Sequence, residues 1–382
     1  MTNKYLRLTL LITLITSCSS NSFSQIKFIK KLISGSKDTT RSASFLPVPI
    51  FGYAQETGFE YGIGSLYSFY TDRADTTTRS SGINLLAYLT TKKQSNFQIK
   101  ADIWTPQNKY HFVNEVRYKN FPLNFYGNGN KTLKANEEVI IQKTFKLSAE
   151  VERRSGNSSY TGANLSYEKH NFKDKEPGGL FETDPFIYGH NGGRVLFIGL
   201  SQILDSRNTN TYTTKGIYFK INYSYAPDLF AEADNFKGSL TKLDFRGFKS
   251  FNSKMVLGFN TIYQSIQGNK TPFYLLPQLG NDQMMRGYYT GRYRDQNLLA
   301  TQTEFRYHLT PRFGFVGFLA GGTVYSNGNF KLGDIKPNYG GGFRYFFDLE
   351  RNLSVRVDYG IGEKRPMEKR QQGLYFSLGE SF

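Results

Sequence analysis

Between Leu299 and Leu309 the chain alternates with a period of two. Leu299, Thr301, Thr303, Phe305, Tyr307 and Leu309 fall on one face, and Ala300, Gln302, Glu304, Arg306 and His308 on the other. Charge confined to one side of such a run predicts a β-strand with a wet face and an apolar face. The pattern recurs where Ile217, Phe219, Ile221, Tyr223 and Tyr225 oppose Tyr218, Lys220, Asn222 and Ser224. It recurs again where Leu353, Val355, Val357, Tyr359 and Ile361 oppose Ser354, Arg356, Asp358 and Gly360. An Arg and an Asp facing one interior are costly in a dry core and ordinary in a solvated lumen. A soluble sandwich would bury the apolar face against a second sheet, whereas a membrane barrel would turn it to lipid.

Extending the reading gives sixteen strands near 45–55, 59–70, 79–92, 96–106, 109–120, 136–153, 158–170, 193–203, 215–226, 236–250, 253–267, 295–308, 311–326, 337–349, 352–362 and 371–382. The connections 121–135, 171–192, 227–235, 268–294, 327–336 and 363–370 are long, and those between them are mostly short, with 204–214 the exception. Long loops on one side, short turns on the other and an even strand count point to an outer-membrane barrel with both mature termini periplasmic. The fold expected is all-β: a 16-stranded antiparallel transmembrane β-barrel over residues 45–382, with a cleaved signal peptide.

Composition fits that expectation. The 382 residues include 33 Phe, 27 Tyr and 37 Gly against one Trp, which favours strands and turns. A mean hydropathy of −0.48 does not oppose a membrane location, because alternating strands dilute the signal. Lys4 and Arg7 followed by the apolar run from Leu8 to Ile15 mark residues 1–24 as a signal peptide, with Ser22-Phe23-Ser24 before the cut. Ile15-Thr16-Ser17-Cys18 offers a second reading, a lipoprotein box that would lipidate Cys18. Residues 25–44 are expected to be a short periplasmic leader, either a surface helix burying Ile26, Phe28, Ile29, Leu32 and Ile33 or an unstructured segment. The net charge of +17 is spread along the chain without a nucleic-acid-binding motif, so outer-membrane lipid is the expected partner and nucleic acid is not.

The loop before the 299–309 strand carries Arg286-Gly287-Tyr288, and the strand itself carries Glu304-Phe305-Arg306. Downstream come Gly322-Thr323-Val324-Tyr325, Gly340-Gly341-Gly342-Phe343-Arg344 and Arg356-Val357-Asp358-Tyr359-Gly360, and then the closing segment from Leu374 to Phe382. Upstream lie Glu56-Thr57-Gly58, the run from Phe125 to Asn130, and Asp205-Ser206-Arg207 followed by Lys215-Gly216. In this order the set resembles the BamA/TamA-type bacterial surface antigen superfamily of outer-membrane assembly and translocation barrels, over roughly residues 45 to 382.

The resemblance implies a loop latch. Arg286, with Gly287 and Tyr288, would fold into the barrel and pair with Glu304. The family's second acid falls at Ala320, so a single-carboxylate pairing is expected, with Asp348 and Asp358 on lumen faces as substitutes. Phe376, Leu378, Gly379 and Phe382 would form the C-terminal insertion signal. The last strand is expected to run outward-facing to Phe382, so that losing Phe382 would impair assembly rather than the finished barrel. No catalytic set, metal site or cofactor is expected: the four histidines, His111, His170, His190 and His308, lack metal-ligand spacing. The resemblance implies help with inserting or translocating proteins or lipids, with client outer-membrane proteins and the barrel-assembly machinery as partners. A passive or gated pore and a surface-exposed structural antigen are the alternatives. The family's client-receiving periplasmic modules would not fit in the short leader.

Overall fold

The computed structural model describes residues 40–54, 58–230 and 235–382. The expected signal peptide, Cys18 and nearly all of the leader lie outside the described residues, as do Glu56 and Thr57. Sixteen strands follow: β1 (Ser44–Ala54), β2 (Gly58–Phe69), β3 (Ser81–Thr90), β4 (Ser95–Trp104), β5 (Tyr110–Phe125), β6 (Glu138–Arg154), β7 (Ser159–Asp174) and β8 (Gly192–Asp205). The second eight are β9 (Gly216–Ala226), β10 (Gly238–Ser250), β11 (Met255–Gly268), β12 (Asn297–His308), β13 (Phe313–Tyr325), β14 (Lys336–Asp348), β15 (Leu353–Ile361) and β16 (Gln372–Leu378). Each pairs antiparallel with its sequence neighbours in one sheet of order β1 to β16.

The sheet is apolar outside and charged inside. Leu200, Leu319 and Phe376 are 68, 69 and 70 % exposed, so no second sheet covers that face. Arg286, Arg306, Arg344 and Arg356 are among the most buried side chains. That inversion is what a lipid-facing barrel requires and a sandwich forbids.

Among the described residues, no ladder joins β1 to β16. The sheet ends meet through side chains instead. Leu46 and Leu66, next to the outward-pointing Phe45 and Tyr67, pack in one cluster with Tyr345, Phe347, Leu353, Val355 and Leu378. The inner face of β1–β2 thus laps over outward-facing side chains of β14–β16, which explains how Leu353 is only 7 % exposed on an outward position. Arg351 caps the lap: its guanidinium donates to the Ser42 carbonyl, lies 4.7 Å from the Tyr70 ring centre and pairs with Asp348 at 2.8 Å.

The long turn at 206–215 reaches across the mouth at this end of the barrel. Asn210 donates to the Ser80 carbonyl at 2.8 Å, and the Thr211 hydroxyl donates to the Arg351 carbonyl. Tyr212 stacks on His308 at 4.9 Å and meets Phe346 edge-on at 5.4 Å. Asp205, beside Arg79 and Arg207, anchors the turn's base.

Two boundaries correct the sequence reading. β5 continues to Phe125 because outward-facing Pro122 sits opposite Ile141 without breaking the ladder. β16 stops at Leu378: Gly379 takes φ +77°, a conformation that favours glycine, and Glu380, Ser381 and Phe382 turn inward.

The lap makes a testable demand. Leu353→Ala should cost about 2–3 kcal/mol in detergent unfolding followed by the heat-dependent gel shift, against under ~1 kcal/mol for Leu200→Ala. Equal losses would mean that nothing covers Leu353.

Candidate functional site

The 269–296 loop between β11 and β12 folds into the barrel, driven by its own apolar residues. Leu279, Met284, Met285, Tyr288 and Tyr293 form a buried cluster with Leu298, Ala300 and Val324, and Ala320 packs against it. Ala320 does face inward, but into an apolar contact. Burial pushes the Tyr293 phenol up to about 12 and the Arg294 guanidinium down to about 10, so at neutral pH neither changes charge. Arg294 has no carboxylate among its described partners: it donates to the Gly291 carbonyl at 2.8 and 3.0 Å and sits 5.4 Å from the ring centres of Phe125 and Phe273.

The loop tip is pressed against β15. Gly287 has φ +107°, and a Cβ there would lie 2.6 Å from the Gly360 carbonyl oxygen, so glycine is needed both for conformation and for room. Its N–H donates to the Tyr375 hydroxyl at 2.8 Å. The Tyr288 hydroxyl donates to the Pro337 carbonyl at 2.6 Å and accepts from the Glu363 N–H at 2.8 Å.

Arg286, fully buried, lies 3.5 Å over the Phe318 ring and pairs with two carboxylates, Glu304 at 2.5 Å and Asp358 at 2.7 Å. The family resemblance implied Glu304 as its partner, with Asp348 and Asp358 as substitutes. The structure brings Asp358 to it and leaves Asp348 with Arg351, because Asp348 sits at the far end of β14 beside the 349–352 turn. Around this centre Arg306 meets Glu304 at 3.1 Å, Arg344 meets Asp358 at 2.5 Å and Glu380 at 2.9 Å, and Arg356 meets Asp358 and Asp282, each at 2.7 Å. Four guanidiniums thus share four carboxylates. Glu304, Asp358 and Glu380 are as buried as the guanidiniums they meet, and Asp282 is partly exposed, so each buried cation has a carboxylate partner.

The C-terminal residues complete the cluster. Ser381 donates to Glu304 at 2.6 Å, and Arg306 donates to the Phe382 oxygen at 2.9 Å. The Phe382 ring is buried, 4.8 Å from the Arg306 guanidinium and 5.6 Å from the Phe248 ring. Of the expected C-terminal signal, Phe376 faces outward, Leu378 packs in the lap, Gly379 makes the turn and Phe382 is inside. Sequence reasoning missed Asp282, Arg306, Arg344, Arg356, Tyr375 and the inward tail. Four of them, Arg306, Arg344, Arg356 and Tyr375, stand in quoted stretches at inward parity, the one signal that could have found them.

The fold and this centre define a sixteen-stranded barrel whose long loop is held inside by buried ion pairs. No family model matches the chain, and no curated protein matches it. Solved structures do share its fold. BamA from Haemophilus ducreyi lacking POTRA domains 1-3 has a TM-score of 0.54 at 12 % identity, covering 89 % of this chain and 70 % of the other. CdiB from Acinetobacter baumannii gives 0.53 at 11 %, covering 88 and 59 %, and CdiB from Escherichia coli 0.54 at 8 %, covering 88 and 62 %. This chain therefore spans about six-tenths of either CdiB chain. It has the fold of the BamA and CdiB barrels.

A double-mutant cycle separates the two candidate acids. Arg286→Gln with Asp358→Asn should show a coupling of about 1–3 kcal/mol, and Arg286→Gln with Asp348→Asn a coupling near zero. For the same reason the charge swap Arg286→Glu with Glu304→Arg should restore little, since the new carboxylate would stand beside Asp358. Full restoration, read as protease protection of 288–294, would show that Asp358 is not a partner.

Proposed function

We propose that this chain is an outer-membrane barrel that helps proteins or lipids insert into or cross the outer membrane, acting at the seam between β1 and β16. The observation that carries this reading is the missing ladder: two edge strands lie together through a lap of apolar side chains and Arg351. Unpaired backbone groups in hydrocarbon are costly, so such an edge is a template for an incoming strand. The likeness of fold to BamA and CdiB supports it. In this reading the end bearing Ser44 and Phe382 is periplasmic, residues 1–24 are removed in export, and Phe376, Leu378, Gly379 and Phe382 are read during assembly.

The arginine cluster serves as the latch. Arg286 binds the inward loop to β12 and β15 through Glu304 and Asp358, and the Tyr375 hydroxyl extends the hold to β16, the seam strand. A pore is the weaker reading, because the inward loop occupies part of the lumen and Tyr212 packs across the opposite mouth on Val256 and Phe346.

The test is to lock the seam. Leu46→Cys and Leu378→Cys, joined by a short thiol-cleavable cross-linker, should leave a barrel that still shows the heat-dependent gel shift. Cells depending on it should lose normal outer-membrane protein and lipid content until the linker is cleaved. Unimpaired cells with the linker in place would sink the seam reading.

A further inference from the structure

The inward loop leaves two cavities beside it. The outer one, of about 660 Å³, lies between the 362–371 connection and the ends of β5 and β6 away from Ser44 and Phe382, next to exposed Met367 and Lys369. The inner one, of about 470 Å³, lies between the loop and the inward faces of β5, β6 and β7. Tyr289 and Tyr375 line both. The two therefore adjoin, and together they form a cleft running from that mouth of the barrel into its lumen.

The cleft is cationic. Eight Lys and Arg side chains line it against three carboxylates, Glu137, Glu168 and Glu368. Each of these acids already has a cation: Glu137 has Lys134, Glu168 has Lys146 at 3.3 Å, and Glu368 has Arg292. Lys119 and Lys369 are left over. Among the described residues neither joins an ion pair. Lys119 lies 5.7 Å from the Phe121 ring centre, and Arg117, a like charge, shares its face of β5 two residues away. A cation held inward beside another cation is costly, and an anion in the cleft would turn that cost into charge-assisted hydrogen bonds.

Rings and amides define the rest of the occupant. Five tyrosines line the cleft, among them Tyr126 and Tyr289, whose rings meet edge-on at 6.0 Å. Gln142, Gln278 and Gln372 add three side-chain amides with no hydrogen-bond partner among the described residues. A hydrocarbon ligand needs a largely apolar wall, which this is not. An amide both donates and accepts, as a hydroxyl does, and a tyrosine offers a flat apolar face with a polar tip. Those two surfaces side by side suit a sugar, whose ring carries C–H faces and a rim of hydroxyls. The spare lysines call for one that bears negative charge.

We propose that the cleft binds a short acidic oligosaccharide, its charged groups held by Lys119 and Lys369 and its rings laid against Tyr126 and Tyr289. The site rests on the outer-membrane reading only for the side on which its mouth opens, which is the cell exterior. It also touches the latch. Gly287 and Tyr375, whose hydrogen bond ties the loop tip to β16, line its outer half. Sugar in the cleft therefore sits on the contact that joins the loop to the seam strand.

The test titrates the full chain in detergent micelles with tetragalacturonic acid, with its fully methyl-esterified form and with a tetraglutamate peptide, read by calorimetry. The unmutated protein should bind the acid about twentyfold more tightly than the ester, roughly a factor of five per lysine. Lys119→Gln with Lys369→Gln should abolish that difference, whereas Tyr289→Ala should weaken acid and ester alike. Lys215→Gln, at the other end of the barrel, should change neither. The double variant should keep the heat-dependent gel shift, since neither lysine leaves a carboxylate unpaired. If it does not, Lys369→Gln alone must cut the difference to about fivefold. No binding of the acid, equal binding of acid and ester, or tetraglutamate binding as tightly as the acid would overturn the site. Binding by the purified chain but not by intact cells carrying it would instead overturn the orientation that the outer-membrane reading gives the mouth.

Discussion

A guanidinium withdrawn from water must be met by carboxylates, and four are withdrawn together in the lumen of this barrel. Arg286, Arg306, Arg344 and Arg356 divide among Glu304, Asp358, Glu380 and Asp282, which lie on β12, β15, the C-terminal tail and the inward loop. The position of each segment is a condition for the burial of the others. Displacing any one strands a charge, so the cluster holds all four segments or none. The inward loop, the inward tail and the shape of the lumen are three aspects of that one electrostatic requirement.

The sequence made the strands legible because the barrel inverts the usual rule and marks each strand twice, with apolar residues outside and charge inside. Alternation gives parity, however, and parity does not give height. By parity Asp348 and Asp358 share the inward face, but a register shift between Phe346 and Asp348 sets Asp348 opposite outward-facing Leu353, where it closes a turn with Arg351. Register decides between them. Asp358 stands opposite Gly342, where an added Cβ would come within 1.8 Å of its carboxylate, so the glycine makes the space in which the acid lies. The glycine was visible in a motif, but its purpose was not. The inward tail was hidden for a related reason. Glu380 interrupts the apolar face of the last strand, and the φ +77° at Gly379 that turns this interruption into a change of direction is not written in the letters.

The two sides of the barrel are held by different physics. From β5 through β8 the ladders are long, and Phe145, Tyr167 and Leu147 add cross-strand contact. At β15–β16 the ladder shortens to seven pairs, and beyond it only the side-chain lap and Arg351 remain. Backbone pairing is directional and all-or-none along a strand, whereas apolar contact can slide. Stiffness is therefore set opposite the seam and compliance at the seam.

The inward tail also fixes a sequence of events. Ser381 and Phe382 bond to Glu304 and Arg306, more than seventy residues earlier in the chain. Those partners face a common interior only after the sheet has curled. Contacts so distant in sequence carry a large loop-closure cost and cannot precede the curling of the sheet. Until the tail has turned in, the Phe382 ring and its backbone are open to whatever is nearby; once it has, both lie inside.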